Sequence, residues 1–528
     1  MLPPACAPER VAARFALFFL VPQGGFPISI STKNALRALE KQLYAYNYAQ
    51  ALMSCDEATA APPCSEAGRA EAAEVLSRAA FALLVNDDTA ALLRQAAAET
   101  DLDPQLAAEV RELQRRYDEI ARIPADEYAA FTRLVQQAIP AWGRAKRAND
   151  FAAFAPYLES IVEARRKQAA YFAPERHPYE VLLDRYERGL TIATCDRFFA
   201  ELRETILPLL DQIRSHGTPV RTDFLDNDWP LPAQQALARE IMRRWGLDPD
   251  HCVLAESEHP FTEGLWHGDV RITTHYMPRD MVSSLYSVAH EGGHALYELN
   301  VDAAYDYTVL AGGSTMALHE SQSRLFENLV GRSKAFLQGL WPALTDLFPS
   351  QLAGVSLEEF YRAVNRAEPG LIRTDADELT YSLHIMVRYE LEKALIEGSL
   401  AVRDLPAAWN ARYRQYLGVD VPDDAHGVLQ DIHWACGDLG YFPSYALGSA
   451  YGAQAWDDLN ARFGAGVLDA QLAAGNLEPL KGALRDRLWK YGASREPAEL
   501  VKSLCGGDFD VRHYTRYLRD KYAALYAL

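Results

Sequence analysis

Residues 280–299 read DMVSSLYSVAHEGGHALYEL, and this stretch decides the fold. Leu285, Val288, Ala289, Ala295 and Leu296 recur at the spacing of a helix with one buried face, and Pro278 with Asp280 marks its start. His290 and His294 stand four residues apart, so a helix stacks both imidazoles on one face, a turn from each other. Two ring nitrogens placed in this way can reach one Zn²⁺ at about 2.0–2.1 Å. Glu291 lies beside them, able to reach a metal-held water without being a ligand. Gly292 and Gly293 each disfavour a helix interior by about 1 kcal/mol relative to Ala. Two together imply that something passes close to this backbone.

A catalytic zinc commonly takes three protein ligands and keeps one position open. An extended signature would place Gly three residues after His294 and a third His three residues later. Tyr297 and Asn300 stand there instead, which excludes that class. Glu298 shares the helical face but lies about 12 Å along the axis from His290, too far for the same ion. The third ligand must come from another element. Glu320, on a helix beginning near Ser314-Thr315, is the best candidate. Asp302 and Asp306 in the connecting segment are less rigidly held, and Glu327 is the helical alternative.

Outward from this motif, helical periodicity dominates. Helices are expected at 68–82, 103–122, 126–172 with breaks near Pro140 and Pro156, 195–214, 232–245, 280–299, 315–346, 357–366, 375–397, 405–416, 466–475 and 496–503. The exception is 250–277, which reads as strand. There Val270 and Ile272 share one face and Asp269, Arg271 and Thr273 the other. No repeat or low-complexity linker divides the chain. The expected architecture is therefore mainly α, a single helical unit over 35–528 with a small antiparallel β-sheet beside the zinc helix. Residues 1–34 read as a loosely structured extension, with a weak signal peptide over the short apolar run 15–21 as the alternative.

With 53 basic and 72 acidic side chains the formal charge is −19, which argues against a nucleic-acid surface and supplies no polybasic membrane anchor. No stretch approaches the roughly 20 apolar residues of a membrane span. The seven cysteines show no metal or redox spacing, and reduced thiols in a cytoplasmic protein are the simplest reading. Ten of the 13 histidines fall between 251 and 433, which marks where the chemistry is.

Six motifs stand in order along the chain: His259-Pro260-Phe261, Asp269-Val270-Arg271-Ile272-Thr273, His290-Glu291-Gly292-Gly293-His294, His319-Glu320-Ser321-Gln322, Ile372-Arg373-Thr374-Asp375-Ala376-Asp377 and Gly427 through Trp434. With these the sequence resembles the carboxypeptidase Taq family of zinc metallocarboxypeptidases from about residue 35 to the C-terminus. The resemblance implies His290, His294 and Glu320 as zinc ligands, Glu291 as catalytic base, and release of C-terminal residues from a broad range of peptides. It also implies a helical, homodimeric fold with a deep central cleft. Near the start the chain departs from the family, with Cys55-Asp56 and Ala61-Pro62 where members carry Trp-Asp and Met-Pro.

An exopeptidase also needs a fixed cation for the substrate's α-carboxylate, and the planar fork of Arg suits it. Arg373 is the first choice and Arg271 the second, with a structural ion pair as the competing role for each. His259 could line the cleft. Asp269, Asp377 and Asp431 could orient a ligand histidine or one of these arginines. His433 and Tyr441 are candidate donors to the oxyanion of the tetrahedral intermediate. Zn²⁺ is the expected cofactor, one per chain, with Co²⁺ a possible substitute. Competing functions are a helical zinc oligopeptidase or dipeptidyl carboxypeptidase, and a metal-binding scaffold with a dead site. The intact Glu291 and ligand set count against the last.

Overall fold

The computed structural model describes residues 32–99 and 102–528. It is 68% helical, so helix packing and not the sheet sets the architecture. The elements that bear on the site are helix α1 (Thr32–Thr59), strands β1 (Cys252–Glu256), β2 (Thr262–Trp266) and β3 (Asp269–Thr274), and helices α2 (Met281–Leu299), α3 (Met316–Arg324), α4 (Glu378–Glu397) and α5 (Pro443–Phe463). Residues 32–34, expected in the loose extension, are the first residues of α1; the remainder of that extension, with the apolar run 15–21, lies outside the described residues.

The sheet corrects one expectation. Its order is β1-β3-β2, with β3 antiparallel to β2 but parallel to β1, so it is mixed. Only His267 and Gly268 separate β2 from β3, and so short a link forces a hairpin. β1 is joined to β2 by residues 257–261 yet pairs with β3 instead, which leaves β2 as the edge nearest α2.

Two helical expectations also shift. Pro140 and Pro156 lie inside helices Ala125–Ala148 and Phe151–Phe172 and do not break them. The break falls between the two helices, where Asn149 adopts a left-handed conformation (φ 54°) and the Asp150 side chain accepts the Ala153 N–H. The span 315–346 is α3, then a π-helix at Leu325–Gly331, then a separate helix from Lys334 capped by Ser333. Helix α5 gives a weak sequence signal because Gly448, Gly452 and several alanines and serines replace its large apolar residues.

One large apolar core runs from Ala138 to Tyr526. A second, smaller core joins Leu36 and Leu39 of α1 to Leu92, Leu93, Leu106 and Leu113, and is completed by Val309 and Leu310 from the segment between α2 and α3. Among the described residues no helix is long and apolar enough to cross a membrane.

The paired glycines of α2 now have a cause. A Cβ on Gly293 would stand 2.6 Å from the Gln322 carbonyl oxygen and 2.7 Å from the Ser323 Cα, both backbone atoms of α3. On the other side of α3, a Cβ on Gly448 of α5 would stand 2.7 Å from the Glu320 Cβ. Helix α3 is thus clamped between two helices at backbone contact. Gly293→Ala should destabilise the fold by about 1–3 kcal/mol, because backbone cannot yield as a side-chain tip can. Gly68→Ala is the control, since that Cβ meets nothing within 4 Å. Denaturant unfolding of both variants checks this, and equal stability would contradict the clamp.

Candidate metal centre

Helix α2 starts where the Asp280 side chain accepts the Ser283 N–H, and this phases His290, Glu291 and His294. Helix α3 starts where Thr315 accepts the Leu318 N–H, while the buried Glu187 carboxylate accepts the Ala317 N–H at 2.5 Å. The backbone contact at Gly293 then brings Glu320 over the two histidines. Glu320 Oε2 lies 3.7 Å from His290 Nε2 and 3.5 Å from His294 Nε2. One donor atom from each of the three residues lies within 4.8 Å of the others, the only such group found among the described residues.

The outer nitrogens of both histidines are engaged. His290 Nδ1 is 2.9 Å from Glu327 Oε2, and a carboxylate there requires Nδ1 to carry the proton, which leaves the Nε2 lone pair facing Glu320. His294 Nδ1 is 2.6 Å from His319 Nδ1, and His319 Nε2 is 2.7 Å from Glu298 Oε1. Protons pointing outward along this chain, from His294 to His319 to Glu298, again leave the inner Nε2 free. Glu298 is fixed in turn by the Gly313 N–H at 2.8 Å. Burial holds His294 down at about 4, so it is neutral near pH 7, as a ligand must be. Burial also opposes charge on His290, but the carboxylates of Glu320, Glu327 and Glu291 outweigh it and raise its pKa. Burial alone would raise Glu320, yet Arg324 and the two histidines hold it well below the usual carboxylate range. With their outer nitrogens engaged, the two imidazoles have inner Nε2 atoms that can turn a lone pair inward when a cation displaces the proton. Together with one ionised carboxylate they form a donor set that fits a divalent transition metal.

Glu291 is buried beside these three residues. Its Oε2 accepts the Thr262 hydroxyl of β2 at 2.6 Å, and the same hydroxyl lies 3.1 Å from its carbonyl oxygen. Burial raises its pKa, with His290 acting against the rise.

The other expected site residues divide into two groups. Arg373 is buried, and Asp431 Oδ1 accepts from its Nε at 2.9 Å and its Nη2 at 2.8 Å. Asp431 Oδ2 takes Arg388, a residue the sequence reading missed, at 2.6 Å. His433 Nε2 is 3.1 Å from the Tyr445 hydroxyl, and the Tyr441 ring packs edge-on against Tyr445. Burial lowers His433 to about 4 and, with Arg373 and Arg388 nearby, keeps it neutral; its Nδ1 is buried with no hydrogen-bond partner.

Asp269 and Arg271 lie elsewhere. They pair with each other (2.5 Å) on the sheet face turned from the core, where the Tyr48 hydroxyl donates to Asp269. A cavity of about 640 Å³ between α1 and the sheet holds this pair. Asp377 caps α4, accepting the Leu379 and Thr380 N–H groups and the Glu368 N–H, and so orients backbone and not a ligand or an arginine. His259 is exposed before β2. Glu327, Glu298 and Thr262 lie in none of the six motifs, and the motif that contains His319 does not mark it as a support, because spacing along the chain says nothing about partners on another element.

The sequence of residues 35–522 matches the family model of the carboxypeptidase Taq (M32) metallopeptidases. The chain belongs to this family. It is a metallocarboxypeptidase and its substrates are peptides; the family implies a metal ion, and the His290–His294–Glu320 group is one that could hold it. Carboxypeptidase 1 of Bacillus subtilis is 39% identical over 495 residues, 93% of this chain and 98% of that protein. Thermostable carboxypeptidase 1 of Thermus thermophilus is 38% identical over 80% of this chain and 84% of its own. Among solved structures, the M32 carboxypeptidase of Deinococcus radiodurans superposes with a TM-score of 0.91 at 38% identity, covering 94% of this chain and all of that one.

Removing the proton acceptor of His290 should loosen the metal without removing a ligand. Glu327→Ala is expected to weaken metal affinity about 10–100-fold, read by chelator competition. Unchanged affinity would show that the Glu327 contact does not set the His290 tautomer.

Proposed function

We propose that this carboxypeptidase works with Zn²⁺ held by His290, His294 and Glu320, that Glu291 is its general base, and that Arg373 takes the substrate's terminal carboxylate. The observation that carries the assignment of Glu291 is one of partners. Glu320 is paired with Arg324, and Glu327 with Arg324 and Arg332. Among the described residues no arginine reaches Glu291, whose carboxylate meets only the Thr262 hydroxyl. It is the carboxylate of the three left free to exchange a proton.

When bound, the zinc ion supplies Lewis acidity, polarising the scissile carbonyl and making a water acidic enough to act near neutral pH. Glu291 accepts the proton of that water and passes it to the leaving amine. Thr262 holds one Glu291 oxygen, which leaves the other to face the reacting atoms. Tyr441 and His433 are the candidate donors to the developing oxyanion.

For exopeptidase action the supporting feature is charge. Arg373 and Arg388, both buried, share the single carboxylate of Asp431, with His433 beside them neutral. This group carries a surplus positive charge that a peptide's C-terminal carboxylate would neutralise. Arg271 has a carboxylate of its own, Asp269, and lies on the outer face of the sheet. Arg373 is therefore the better candidate.

Glu291→Gln should retain bound metal and lose about 10²–10⁴-fold in turnover; normal turnover in the metal-loaded variant would remove Glu291 as base. Mass spectrometry of a peptide ladder, with and without chelator, should show single C-terminal residues released one at a time over a broad range of side chains. Dipeptides or internal fragments would instead favour the dipeptidyl or oligopeptidase alternative. Arg373→Ala should raise KM for free-acid peptides much more than for their C-terminal amides, and an equal rise on both would give Arg373 a structural role.

A further inference from the structure

The metal ligand and the proposed carboxylate receptor lie on different elements, Glu320 on α3 and Arg373 in the 3₁₀ turn that leads into α4. One side chain touches the supports of both. Arg324 donates from Nε to Glu320 Oε1 at 2.7 Å, and its guanidinium lies over the Tyr381 ring, 3.9 Å from the centroid. The Tyr381 hydroxyl accepts from Arg373 Nη1 at 3.3 Å. Tyr381 itself is buried in the first turn of α4, its N–H bonded to the Asp377 carbonyl at 2.9 Å. The ring and the hydroxyl therefore have separate tasks.

We propose that Tyr381 is a positioning residue that couples the two halves of the site: its ring seats the arginine that holds Glu320, and its hydroxyl sets the angle of the Arg373 guanidinium. The proposal rests on the reading of Arg373 as the carboxylate receptor. Asp431 fixes the Nε and Nη2 side of that guanidinium, which alone leaves Nη1 without a partner. The Tyr381 hydroxyl supplies the missing contact. A guanidinium has five N–H groups. Three are used here, two on Asp431 and one on Tyr381, and two remain for a substrate carboxylate. A tyrosine serving only to fill the core would need no hydroxyl directed at an arginine. Phe would keep the cation–π seat under Arg324 and the edge-on contact with Tyr445.

Tyr381→Phe separates the two tasks. It should raise KM for free-acid peptides about tenfold, the size of one hydrogen bond to a charged group. The loss should fall on KM and not on kcat, and the competitive Ki of a C-terminal peptide amide should be unmoved. Metal affinity by chelator competition should stay within about twofold of the parent. Tyr381→Leu removes the ring as well and should weaken metal affinity in addition. In the Arg373→Ala background Tyr381→Phe should add nothing, since its effect runs through that arginine. Circular dichroism and the unfolding midpoint of each variant check the fold. A Tyr381→Phe enzyme with unchanged KM, beside an Arg373→Ala enzyme whose KM rises on free acids, would overturn the coupling and leave the role of Arg373 standing. An Arg373→Ala enzyme with no selective loss on free acids would remove the reading on which the coupling depends, whatever Tyr381→Phe does.

Discussion

A carboxylate kept charged inside the protein is the constraint around which this site is arranged. Glu320 is 5% exposed, and a charge taken that far from water is tolerated only with partners in close geometry. Arg324 supplies one, the two histidines face it from α2, and Ser323 adds a hydroxyl at 3.1 Å. Those partners are themselves largely withdrawn from water and need their own. Arg324 also reaches Glu327, Glu327 takes Arg332 and His290, and Arg332 lies over the Tyr286 ring. The outcome is a connected polar network in which Glu320, Arg324 and Glu327 are each fixed by at least two other charged or polar side chains. Such a network keeps its groups in one arrangement when every member is satisfied.

The backbone is shaped to make this possible. Residues 325–331 wind as a π-helix directly after α3, a form frequent at functional sites. Its first turn presents Glu327 to the outer nitrogen of His290. The glycines of α2 and α5 let three helices meet at backbone distance, so Glu320 is held from both sides. Loose packing here would let the ligand atoms drift by an ångström, which is enough to spoil a metal site.

The N-terminal helices are tied to the same centre from outside. The Val309 N–H donates to the buried Glu40 of α1, and a few residues later the Gly313 N–H donates to Glu298, which supports His319 and through it His294. Burial, with Glu109 adding to it, raises Glu40 to about 7. The segment between α2 and α3 thus does two things: it completes the smaller apolar core and it fixes the outer support of His294.

Local spacing by itself determined a good deal. Two histidines four residues apart on a helix, with Glu291 between them, suggest half of a metal site from helical spacing alone, and the distance to Glu298 removes it as a third donor. The period of the apolar residues found most of the helices that follow. The tertiary structure decided what depends on contacts between elements remote in sequence. It turned Glu298, excluded as a ligand, and Glu327, the alternative ligand, into the supports of His294 and His290, and it set Arg373 with Arg388 on Asp431 while leaving Arg271 on the outer face of the sheet. It also paired β1 with β3, and it showed that Gly293 is needed because Gln322 and Ser323 press on it. Periodicity reports which face of an element is buried, but a hydrogen bond across two helices leaves no period in either one.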